Sequence, residues 1–124
     1  MRTYEIQNER WTTFFADFTY RHHGKHVSVE TLGSVNDIHP EVRDEPLVGI
    51  VAASENSREC LELLAGKPPE HAHVHAIARP LHVTVGREDN GQTVALQIDS
   101  ADGTTTMVRF EPPQEGLPAG FRLS

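Results

Sequence analysis

The sequence predicts an α+β fold: an N-terminal amphipathic helix packed on a bent, mainly antiparallel sheet of five or six strands, which could roll into a partly open small barrel. Three observations predict it. Trp11, Phe14, Phe15 and Phe18 follow the i, i+3, i+4, i+7 spacing of one helical face. From Val27 to Phe110 the apolar residues instead recur with the period of two of half-buried strands. Glycine, proline, asparagine and aspartate separate these runs as turn signals. A chain of 124 residues can bury roughly two-thirds of its unfolded surface without a metal or disulfide staple. Residues 1–111 read as a single domain. Residues 112–124 read as a loosely held Pro/Gly-rich tail, from which Leu117 or Phe121 could dock on a neighbour.

Each element follows from local chemistry. The helix is expected to start at Asn8, whose side chain can cap it, with Glu9 in the first turn and Gly24 as the stop. His22 and His23 then fall at its C-terminal end, where cationic imidazoles would complement the helix dipole. Val27 and Val29 alternate with Ser28 and Glu30, which predicts a strand ending at Leu32 and Gly33, its apolar side towards the helix. A polar connection through Asn36, Asp37, His39 and Pro40 leads to Pro46 and reads as a flap. Leu47 to Ala53 reads as a second strand, buried on both faces at its centre.

Arg58 to Ala65 has helix-favouring residues but the length and borders of a strand, and the strand reading is preferred. His71 to Ile77 is next, and Pro80 implies a kink before Leu81, Val83 and Val85 resume alternation. Asp89-Asn90-Gly91 makes a turn. Val94, Leu96 and Ile98 then pair through Asp102-Gly103 with the run from Thr104 to Phe110, as a hairpin.

Composition excludes several classes. Eighteen acidic and eleven basic residues leave a formal charge of −7, with no basic stripe, so nucleic acid is not an expected partner. The longest apolar run, Leu47 to Ala53, falls far below the ~20 residues of a membrane span, and the start of the chain lacks a signal pattern. No membrane association and a cytoplasmic location are expected. Cys60 is the single cysteine and lies among Leu61, Leu63 and Leu64, which argues for a structural rather than a nucleophilic role. Protonating all eight histidines would bring the charge from −7 to about +1.

The densest chemistry lies in His71, His73 and His75, alternate residues that share one face of a strand and could ligate zinc, nickel or copper. Side chains at i and i+2 stand roughly 6.5 to 7 Å apart at the backbone, so a tridentate site is strained. Two ligands plus His82 or His39 would converge more readily. A solvent-facing, titrating strand edge without an ion is the simpler reading. A water-activating metal would also need a base such as Glu70 or Glu88. Ser28, Ser54, Ser57 and Ser100 lie in no nucleophile elbow, and Gly66-Lys67-Pro68 is no phosphate loop. Asp99, Asp102 and Thr104 read as caps of the hairpin turn.

Glu9-Arg10-Trp11, Phe14 to Phe18, Val27-Ser28-Val29-Glu30 and Leu96 to Thr105 resemble the family known as domain of unknown function 5335, over about Tyr4 to Phe110. The resemblance implies small bacterial proteins with an N-terminal helix and a strand-rich body, and it brings no established activity. His75-Ala76-Ile77 and Pro80 match its pattern, whereas His71 and His73 lie in a variable stretch. The element order is also similar to that of Sm-like small barrels, by analogy alone. The expectation is a non-catalytic accessory or interaction module, forming a homodimer through a strand edge or the tail and needing no cofactor. The alternative is a divalent-metal protein, a sensor, buffer or hydrolase, that uses His71, His73 and His75.

Overall fold

The computed structural model describes residues 2–33, 37–55, 58–67 and 73–111. In these the chain forms β1 (Arg2–Ile6), a 3₁₀ turn (Asn8–Arg10), α1 (Trp11–His22), β2 (His26–Leu32), β3 (Ile38–Glu55), β4 (Arg58–Ala65), β5 (His73–Ala78), β6 (Pro80–Arg87), β7 (Thr93–Ser100) and β8 (Thr105–Phe110). The expected tail at 112–124, with Leu117 and Phe121, lies outside the described residues.

All the strands join one antiparallel sheet in the order β1-β6-β7-β8-β2-β3-β4-β5. The α+β class therefore holds, but with eight strands rather than five or six. One additional strand is β1, whose first four residues are exposed and carry no apolar alternation. Main-chain pairing with β6, from Arg2 opposite Arg87 to Ile6 opposite Val83, holds it instead.

The segment read as a flap is the first half of β3 and lengthens that strand rather than adding another. Residues 38–46 pair with β2, and only from Leu47 onwards does β3 pair with β4. Among the described residues Pro40 therefore sits where β3 has a partner on one side only, and its missing N–H breaks no ladder there. The register shifts beside Val29, and Asp44 adopts a left-handed φ of 48°, its N–H donated to Ser28 Oγ at 3.0 Å.

The strand reading of 58–65 and the hairpin of β7 and β8 both hold, and Asp102 Oδ1 accepts the Thr104 N–H at 2.9 Å in the hairpin turn. The kink expected at Pro80 falls on Arg79, with φ 48°, the one residue between β5 and β6. Because β5 ends the strand order and β6 lies second from its other end, this junction requires the sheet to curl. The sheet is curled but not closed. Inward residues from β2 to β8 meet in one core, including Val29, Ile50, Leu63, Ile77, Val85, Leu96 and Val108, and the half-buried Ile6 of β1 packs against it.

Trp11, Phe15 and Phe18 of α1 join this core. The helix starts at Trp11, after the 3₁₀ turn, so Asn8 is no cap. Its amide donates to Glu59 at 3.2 Å. Trp11 Nε1 donates to the Ile6 carbonyl at 2.9 Å, fixing the helix entry to β1. Thr19 docks the helix on β3: its hydroxyl donates to the Ile50 carbonyl at 3.2 Å and accepts the Ile50 N–H at 3.0 Å. Gly24, with φ 87°, ends the helix as expected.

Candidate functional site

His71 lies outside the described residues. His73 and His75 do share one face of β5, as their spacing requires, and it is the face that carries the buried Ile77. They sit opposite Ala65 and Leu63 of β4, both fully buried, so the histidines continue the concave side of the sheet. His73 is exposed and His75 half-buried. His75 Nδ1 lies 3.9 Å from Glu41 Oε2, and Glu41 Oε1 accepts the Thr31 hydroxyl at 3.0 Å.

The other candidates stand apart. His82 lies 3.3 Å from Glu5, and His39 is exposed on β3. Among the described residues no group of three or more His, Cys, Asp and Glu side chains is placed to hold an ion. Glu70 and Ser57 lie outside the described residues. Glu88 begins the β6–β7 turn, and Ser28 is engaged with Asp44.

A second constellation was not legible as a site in the sequence. The C-terminal half of α1 faces the end of β6 and the start of β7 across a cleft of about 500 Å³, lined by Phe14, Phe18, Arg21, His22, Lys25 and Arg87, with Asp17, Gln92 and Thr93 at its sides. Arg21 Nε pairs with Asp17 at 2.8 Å, the i, i+4 contact of a helix surface. Arg87 Nε is buried and has no hydrogen-bond partner among the described residues. No carboxylate pairs with Lys25 or Arg87 among the described residues.

His22 lies at the centre of this cluster, its ring 4.6 Å from Phe18 and 4.9 Å from Phe110, centroid to centroid. Lys25 Nζ is 3.3 Å from His22 Nδ1, so the ammonium donates there and the neutral ring carries its proton on Nε2. Burial lowers the His22 pKa from 6.5 to about 4, helped by Lys25, Arg21 and Arg87 and opposed by Asp17. His22 is therefore neutral near pH 7, which corrects the expectation of a cation at the helix end. Arg21 and Lys25 supply that charge instead.

A family model described as "Family of unknown function (DUF5335)" matches residues 2–119, nearly the whole chain. The chain belongs to DUF5335. No curated protein and no solved structure matches it. Both constellations of this DUF5335 chain lie within the matched span. One offers imidazoles beside a carboxylate. The other offers guanidinium and ammonium donors against an aromatic wall, an arrangement suited to holding negative charge. In the sequence, Arg21, His22 and Lys25 read as an ordinary helix terminus. Arg87 reaches them only through the curl that brings β6 under the helix.

Proposed function

We propose that the protein is a non-catalytic interaction module that forms a homodimer through β5. The supporting observation is the outer face of β3, β4 and β5. Beyond Gly49, which Thr19 of α1 covers, run Leu64 and Val74, then Val51, Glu62 and Ala76, then Ala53, Cys60 and Ala78, in register. Val51 is 51% exposed and Val74 60% exposed. Within residues 49–53, 60–64 and 74–78 of that face, Glu62 is the one charge.

β5 ends the sheet, and among the described residues it pairs with β4 alone. A two-fold axis beside it would lay the β5 strands of two copies antiparallel and extend the apolar face from one sheet into the next. A second copy fits this face even though each chain carries −7. Two such chains repel least where they are nearly uncharged.

Sedimentation velocity across a wide concentration range tests this, with a reversible dimer as the expected result. Val74→Lys places a charge on the face without entering the core, and should give a monomer with an unchanged melting temperature. A wild-type chain that stays monomeric throughout, or a Val74→Lys chain that still dimerises, would overturn the reading.

A second reading, a divalent-ion protein using His71, His73 and His75, draws on the shared face of His73 and His75 and on the nearby Glu41. Elemental analysis of untagged protein decides it. Bound zinc, nickel or copper that is lost in His73→Ala supports this reading. A metal-free chain whose melting is unmoved by these ions removes it.

A further inference from the structure

The cleft beside α1 holds more positive charge than its neighbours balance. Arg21, Lys25 and Arg87 line it against a single carboxylate, Asp17, which Arg21 already engages. This is a local reversal in a chain of net charge −7. Helix-dipole complementation accounts for Arg21 and Lys25 at the end of α1. It does not account for Arg87, which comes from β6, whose guanidinium carbon stands 5.9 Å from the centre of the Tyr4 ring, and whose buried Nε has no acceptor among the described residues. A buried donor without a partner costs free energy that a bound acceptor recovers.

We propose that this cleft binds a small phosphate-bearing molecule, with its phosphate between Arg87 and Lys25 and its remainder against Phe14 and Phe18. A phosphate carrying close to two charges matches the two cations that lack carboxylates, whereas a monocarboxylate would leave one unmatched. Gln92 and Thr93 supply neutral polar groups at the side of the cleft. The volume of about 500 Å³ suits a small molecule. The buried ring of His22 lies beneath this charge, facing Asp17 and Arg21 on its own helix, Lys25 just beyond it and Arg87 from β6. Bound phosphate would offset the cations that add to the effect of burial in keeping it neutral.

NMR titration of the untagged full chain with pyrophosphate and inorganic phosphate, at constant ionic strength, tests the proposal. Saturable shifts of the Lys25, Arg87 and Thr93 amides are expected, together with a rise in the pH at which the His22 ring titrates. Arg87→Gln should weaken pyrophosphate binding by about tenfold or more, the loss of a charge-assisted hydrogen bond. Lys25→Gln is a second variant whose change is at the protein surface, and it should weaken binding in the same sense. Arg43→Gln, an exposed cation on β3, should leave binding unchanged. Absence of saturable shifts would overturn the proposal, as would citrate binding as tightly as pyrophosphate, or Arg43→Gln weakening binding as much as Arg87→Gln. The β5 dimer uses a different surface, so the two proposals fail independently.

Discussion

A methyl group at Gly49 would lie 2.9 Å from Thr19 Cγ2, on a side chain that two hydrogen bonds to Ile50 hold in place. The helix docks where β3 offers backbone rather than side chain. Gly49→Ala should therefore push α1 off β3 and cost about 1–3 kcal/mol, read as a lower urea midpoint with an unchanged slope. His22 sets a second prediction at this scale. Its folded pKa of about 4 lies below the ordinary 6.5, so between those values the unfolded chain binds a proton that the folded chain refuses. Stability falls as pH falls through that window, and above it His22 contributes no slope. Melting temperatures measured from about pH 7 down to about pH 5 should drop in the wild type and drop less in His22→Gln.

The elements that sequence reasoning found are those whose own side chains carry the pattern. Trp11, Phe15 and Phe18 announce α1, and β2, β4, β7 and β8 show their alternation in the burial of Val27, Leu61, Ile98 and Val108. β1 and the first half of β3 were missed because main-chain pairing does most to hold them, with Tyr4 and Ile38 exposed and Ile6 and Val42 their contributions to the core. Pro40 and Pro46 strengthened the wrong reading of β3. A proline argues against a strand only where both edges are paired, and the sequence does not reveal that residues 38–46 pair on one side only among the described residues. On β5 the shared face of His73 and His75 was legible. That the face is concave was not, because it depends on the register with Leu63 and Ala65 of β4.

At the scale of the whole molecule, the curl determines which surfaces exist. It gathers Arg87 under α1 and leaves β5 at the rim with its apolar face outward. Neither result follows from any one segment, which explains why the cleft escaped sequence analysis while the histidine run drew attention. The charge of −7 also shapes the proposed dimer, since its nearly neutral face brings together two chains that repel elsewhere. Added salt should therefore strengthen dimerisation in sedimentation experiments, the opposite of its effect on an interface built from ion pairs.

The pairing of β1 with β6 bears on when this fold can form. Ile6 finds its partner in Val83 and Arg2 in Arg87. During synthesis β1 waits for roughly eighty further residues before its ladder can close, and such distant pairings fold slowly. Until then the main-chain donors and acceptors of β1 are open to any other extended chain. β1 is thus made well before the strand that secures it, and crowded synthesis is where this edge is most exposed to mispairing.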